Sequence, residues 1–249
     1  AGGNITINSE SRANNVGGAA LRLDGNNTKI IAFGDINIYA NGAAAGLNVA
    51  NQQGHGLMLY GSSQVIRSFD GALAITGYAN QATVGDWGGT GVPSGGITIW
   101  NGSNTLQAKR DVRLTGVSMP AIGMYLTVQN ASGGGVISDS GDIVIRGLSN
   151  SAYSATYVRM AINATQGSVY ISGAALASGS ANGGIDQDFS NGSITANRDI
   201  TLIGYSASTT NGHGIRILGG STIKSLNGNV NFYGTSLTTT SGYYGIVSN

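Results

Sequence analysis

The sequence predicts an all-β fold: a right-handed parallel β-helix (solenoid) of about eight coils, with three short strands per coil. Three observations predict it. A pair of apolar residues one position apart, usually with a glycine just beyond, begins at Ile5, Ile36, Leu73, Val112, Ile143, Val169, Ile200 and Val230. Those starts recur with a period of roughly 31 residues, the mark of a repeat architecture. Inside each period two further short runs follow in the same order, with apolar residues at i and i+2, which share one face of a strand. No stretch of ordinary helix length carries caps and a 3.6-residue apolar period.

Each strand type has its own signature. The first strands carry Ile5/Ile7, Ile36/Ile38, Leu73/Ile75, Val112/Leu114, Ile143/Ile145, Val169/Ile171, Ile200/Leu202 and Val230/Phe232. The second strands, often after glycine, carry Leu21/Leu23, Leu57/Leu59, Ile97/Ile99, Met124/Leu126, Val158/Met160 and Ile215/Ile217. The third strands pair an apolar residue with Ala or Ser: Ile30/Ala32, Ile66/Ser68, Leu106/Ala108, Ile162/Ala164, Ile194/Ala196 and Ile223/Ser225. The fourth unit is expected to depart, with Ile137 followed by Asp139. Recurrent small residues there imply a corner too tight for a large side chain. Stacked at about 4.8 Å per coil, eight coils make a rod of roughly 35–40 Å. No coil buries its own apolar face, so stability comes from its neighbours.

Composition narrows the class. Charged residues are 9% of the chain and hydrophobic residues 41%, which does not fit disorder driven by charge. Glycine is abundant, 42 of 249, but two prolines exclude collagen. A net charge of +1 with no basic run argues against capture of nucleic acid or an anionic membrane surface. No apolar run is long enough for a spanning helix. Cysteine is absent, so no disulfide framework or thiol chemistry is expected. Residues 1–249 are expected to be one β-helix segment excised from a longer repeat protein, because neither end carries a polar cap.

The links between first and second strands vary most. One runs from Asn41 to Gly54. The longest runs from Ala79 to Ser94 and holds Asp86, Trp87 and four glycines. Insertions gathered on one edge of a solenoid commonly build its binding face.

Gly34-Asp35-Ile36-Asn37-Ile38 and Gly141-Asp142-Ile143-Val144-Ile145 share a pattern. Arg110-Asp111-Val112-Arg113-Leu114 and Arg198-Asp199-Ile200-Thr201-Leu202 vary it. With the Gly/Asn/Ser/Thr-rich corners, these runs resemble the haemagglutinin-repeat stems of filamentous-haemagglutinin-like bacterial exoproteins. The resemblance extends over all eight units, although the coils here are longer than in many such stems. It implies a surface-exposed or secreted stem, exported by two-partner secretion, that adheres or presents a distal tip.

Several residues are candidates for chemistry. Asp186 and Asp188, at i and i+2, point the same way about 6–7 Å apart, near the carboxyl spacing of an inverting glycosidase. The preferred account puts Asp186 on a solvated face between Arg159 and Arg216. It turns Gln187 inward, where it needs a partner such as its own amide or the backbone. His55 and His213, each in Gly-His-Gly, lie five coils or about 24 Å apart. They cannot share a metal, and each reads as a turn residue. Asp35, Asp111, Asp142 and Asp199 all precede a first strand and read as corner residues bonding nearby amides. No metal, cofactor or catalytic set is expected. The candidate ligand-binding residues are Tyr78, Asp86 and Trp87, since an aromatic face in a long loop suits a sugar ring or a protein anchor.

Three functions are compatible with these residues. The first is a non-enzymatic extracellular stem that contacts neighbouring repeats and surface glycans or proteins. The second is a β-helical polysaccharide hydrolase or lyase. The third is a filament- or matrix-forming rod.

Overall fold

The computed structural model describes residues 2–11, 19–43, 54–80, 95–100, 102–119, 122–127, 134–150, 154–177, 183–187, 192–220, 222–239 and 244–248. They form a parallel β-helix of three sheets, with no helix. The first sheet stacks β1 (Ile5–Ser11), β4 (Ile36–Ala43), β7 (Leu73–Asn80), β10 (Val112–Ser118), β13 (Ile143–Ser149), β16 (Val169–Ala175), β19 (Ile200–Ser206) and β22 (Val230–Ser236). The second stacks β2 (Leu21–Asp24), β5 (Leu57–Tyr60), β8 (Gly95–Trp100), β11 (Ile122–Thr127), β14 (Thr156–Arg159), β17 (Gly183–Gln187), β20 (His213–Ile217) and β23 (Ile246–Ser248). The third holds β3 (Lys29–Ala32), β6 (Val65–Ser68), β9 (Thr105–Ala108), β12 (Gly135–Ser138), β15 (Ile162–Ala164), β18 (Ser193–Ala196) and β21 (Thr222–Ser225). Within each sheet, strands of successive coils pair in parallel.

Register makes the core. Ile36, Leu73, Val112, Ile143, Val169 and Ile200 stand directly over one another. Each is at most 1% exposed. The apolar pairs of the second and third strands close the other two sides. Fully burying each such side chain contributes about 1.5–3 kcal/mol, and only stacking provides that burial.

Two register details differ from expectation. In the fourth coil the third strand places Val136 over Leu106 and Ser138 over Ala108. Val136 and Ser138 therefore obey the apolar/small rule, while Ile137 and Asp139 point away from the core. In the fifth coil the second strand places Thr156 and Val158 over Met124 and Leu126. Met160 is buried beyond the strand end rather than in that column. Thr156 can occupy a core position because its hydroxyl donates to Ser172 O at 2.8 Å. A reading by apolar residues alone slides this strand by two positions.

Glycine has a steric task at the waist of the rod. Gly77, Gly116, Gly147, Gly173, Gly204 and Gly234 form an inward column on the first sheet. A Cβ at any of them would lie 1.9–2.2 Å from a carbonyl oxygen at the start of a second strand. The opposing residues include Gly96, Gly123, Gly184 and Gly214, whose own added Cβ atoms would meet first-sheet backbone at 2.3–2.5 Å. From the third coil on, backbone thus packs on backbone and the recurrent glycine is a spacing requirement, whereas Ser9 and Ala40 hold the equivalent positions in the first two coils.

The corners between third and first strands are also built by hydrogen bonds. Ser68, Ser138 and Ser225 each donate a hydroxyl to a carbonyl of the preceding coil: Gly34 O at 2.8 Å, Arg110 O at 2.8 Å and Arg198 O at 2.7 Å. Each also accepts the N–H of the glycine three residues on, Gly71, Gly141 and Gly228. These corners are one residue longer than those after Ala32, Ala108 and Ala196. The hydroxyl secures the extra residue. Ala164 combines alanine with the longer corner, and nothing in the structure explains why it lacks the hydroxyl.

One buried amide has both of its polar atoms unmet among the described residues. Gln187 faces the core between Val158 and Ile217 and is 1% exposed. Neither of its amide atoms has a hydrogen-bond partner among the described residues, contrary to the expected bond to its own amide or the backbone.

Two substitutions test this packing in opposite directions. Gly116→Ala, which forces a methyl against Gly123 O, should lower stability by about 3 kcal/mol. Gln187→Leu removes an unsatisfied amide at similar volume and should raise it by roughly 1–3 kcal/mol. Denaturant melts followed by circular dichroism measure both. A Gly116→Ala midpoint equal to the parent's would refute the waist.

Candidate functional site

The aspartates before the first strands are structural. Asp35 Oδ1 accepts the Ala72 N–H at 2.8 Å, Asp111 Oδ1 that of Asp142 at 3.0 Å, Asp142 Oδ1 that of Ser168 at 2.8 Å and Asp199 Oδ1 that of Asn229 at 2.7 Å. Asn4 begins the same series on Asp35. Each side chain bonds the amide of the equivalent residue one coil on, a longer reach than the local turn bond expected. Ala72 has no side-chain acceptor to continue the series. There Arg110 reaches back across a coil to Asp35 Oδ1, at 3.3 Å.

Asp186 is not on a solvated face. It is 1% exposed, and both faces of β17 are buried. Arg216 Nε donates to its Oδ1 at 2.8 Å, and Ser154 Oγ donates to its other oxygen. Its neighbour in the preceding coil is Tyr157, not Arg159. The two-residue slip at Met160 accounts for that error as well. A buried carboxylate held by an arginine and a hydroxyl is spent on structure, and removing one partner of such a pair costs about 3–5 kcal/mol. Asp188 lies outside the described residues.

The two histidines perform one task. His55 is buried, and its Nδ1 takes the Gly95 N–H at 3.3 Å and lies 2.9 Å from Thr98 Oγ1. His213 Nδ1 takes the Tyr244 N–H at 3.3 Å. In each case the amide belongs to the next coil, so the imidazole fastens neighbouring coils at the start of a second strand. An accepting Nδ1 requires the neutral ring. Burial, and secondarily the Arg22 charge, lowers the His55 pKa to about 4. Burial also lowers that of His213, followed by the charge of Arg216. Among the described residues no group of three or more His, Cys, Asp or Glu is placed to hold a metal ion.

One surface available for recognition is the outward side of the first sheet. Its alternate residues include Asn8, Asn37, Tyr39, Asn41, Thr76 and Tyr78, all pointing away from the core. Tyr78, one of the three sequence candidates, is half-buried. Its ring lies 5.5 Å from that of Tyr39, tilted by 49°. Asp86 and Trp87, the other two, lie outside the described residues, as does the link from 81 to 94 around them. Tyr39 was not singled out from sequence, yet alternation from Ile36 and Ile38 already turns it outward. It is 45% exposed. Two clefts flank it. One, of about 180 Å³, is lined by Asn8, Asn37, Tyr39, Ala74 and Thr76. The other, of about 460 Å³, is lined by Asn8, Glu10, Tyr39 and Asn41. The first exists because Ala74 and Thr76 are small beside the tyrosine.

No protein-family model matches this chain, and neither a curated protein nor a solved structure does.

The His55 contact carries a pH dependence with a definite sign. The folded pKa of about 4 lies below the ordinary imidazole value of 6.5. Above about pH 6.5 both folded and unfolded states hold a neutral ring, and the contribution is intact. Between about 6.5 and 4 the unfolded chain binds a proton that the folded one refuses. Stability should fall by about 3 kcal/mol across that window and then level. His55→Asn, which keeps an acceptor near Nδ1 but does not titrate, should flatten the loss. Melting curves from pH 7.5 to 4 measure it, and parallel slopes for parent and variant would remove the assignment.

Proposed function

We propose that this chain is part of the stem of a large bacterial surface or secreted adhesin of the filamentous-haemagglutinin-like kind. It projects, stacks on neighbouring repeats and adheres through its lateral faces, without making or breaking covalent bonds in a ligand. The observation that carries this reading is where the stem-like pattern falls. The aspartates of Gly-Asp-Ile-x-Ile and its variants are the residues that bond one coil to the next. The pattern is therefore a stacking device, and recognition is left to outward residues such as Tyr39 and Tyr78. The rival reading, a carbohydrate-active enzyme, needs a carboxylate free to exchange protons. Asp186, its best candidate, is already committed to Arg216 and Ser154.

The two readings diverge in one paired assay. Beads coated with the folded chain should adhere to cultured cells several-fold more than beads coated with the heat-unfolded chain. The same protein should release no reducing ends or unsaturated products from plant, algal or bacterial polysaccharides. Reproducible cleavage that is lost in Asp186→Asn would overturn the proposal, and so would adhesion no greater than that of the unfolded control.

A further inference from the structure

The outward face at the first three coils combines three features that one ligand class would use together. Tyr39 offers an exposed aromatic ring, and Tyr78 at 5.5 Å braces it from the neighbouring coil. Such a ring packs against the C–H-rich face of a sugar without needing charge. Three asparagines, Asn8, Asn37 and Asn41, line the clefts on either side of that ring. An amide offers both donor and acceptor to paired hydroxyls. Asn41 lines the larger cleft, and its Oδ1 is buried with no hydrogen-bond partner among the described residues. An unsatisfied acceptor of this kind costs free energy until a donor arrives, and the terminal torsion of asparagine turns easily enough to meet one.

Charge selects within the class. Among the described residues no lysine or arginine lines either cleft, and Glu10 is the one carboxylate. A sulfated or phosphorylated ligand would meet no cation among these lining residues. An uncharged polyol would meet amides, a threonine hydroxyl and an aromatic ring. The larger cleft, about 460 Å³, falls in the range of small-molecule sites, while the smaller continues it past Tyr39 toward the third coil.

We infer that the two clefts flanking Tyr39 form a single binding site for a neutral saccharide, with Tyr39 as its stacking platform and Asn8, Asn37 and Asn41 as its hydroxyl-reading groups. This rests on the adhesive reading of the rod and names the ligand class and the place.

Saturation-transfer NMR on the whole chain tests it, with cellobiose, lactose and di-N-acetylchitobiose as probes and a heparin tetrasaccharide as the charged counter-probe. At least one neutral disaccharide should bind, with Kd on the order of 1 mM. Tyr39→Ala should abolish the signal and Asn41→Ala should weaken binding about tenfold. Tyr39→Phe, which keeps the ring, should retain it. Tyr233→Ala, an exposed tyrosine of the same sheet in the last of its strands, should change nothing. Both alanine variants at Tyr39 and Tyr233 are expected to melt with the parent, since neither side chain enters the core. Signal from the heparin fragment alone, no signal from any neutral probe, or binding that survives Tyr39→Ala would overturn the site. Cell adhesion by the same Tyr39→Ala protein separates the two ideas. Adhesion kept with no saccharide bound rejects this site and leaves the adhesive stem standing, whereas a parent that neither adheres nor binds a neutral probe rejects both.

Discussion

Everything in this rod depends on the contact between one coil and the next. A single coil has three short strands, and its inward residues form only a thin apolar slice. Stacking in register turns the slices into columns, where Ile143 meets Val112 on one side and Val169 on the other. The same step satisfies backbone amides that an isolated coil would leave to water. Side chains reinforce it wherever the backbone turns. The aspartate series, the corner serines and the two imidazoles all join adjacent coils.

The waist imposes a second constraint. Where the glycine columns meet, two sheets touch mainly through their main chains, with the Thr156 hydroxyl set between them in the fifth coil. Inward residues on the near side are large and aliphatic. On the far side they are small: Ala79, Ser118, Ser149, Ala175 and Ser206 are all buried. From β7 onward a first strand therefore reads large, large, glycine, small along its inner face, and in β4 Ala40 and Gly42 take the last two places. Its length beyond the waist is what carries Tyr78 and Asn41 onto the outward surface.

Most of this architecture was legible in the sequence, because a period of stacked strands repeats its chemistry at every turn. Ile5/Ile7 and its seven counterparts could be found without any structure, and so could the small corner residues. The errors came where polarity and position disagree. Thr156 occupies a core column through a hydrogen bond to Ser172, so a search for apolar pairs passed over it in favour of Met160. The same slip seated Arg159 beside Asp186 and made a buried ion pair look solvated. Gln187 was assigned inward correctly, but its unmet amide depends on what surrounds it in three dimensions. The recognition surface was the least legible part. Tyr39 becomes conspicuous only when Asn8 and Thr76 are set beside it by strands more than thirty residues away in the chain.

The direction of the interstrand bonds governs how such a rod would answer a pull. In all three sheets they run along the long axis, from coil to coil. Tension on the ends therefore loads them one rung at a time, like a zipper, and never as a whole sheet in shear. A coil that peels away converts a rise of about 4.8 Å into roughly 100 Å of extended chain. A stem built this way yields by lengthening in small steps at modest force, and it can re-form as each freed coil settles back on the template its neighbour presents.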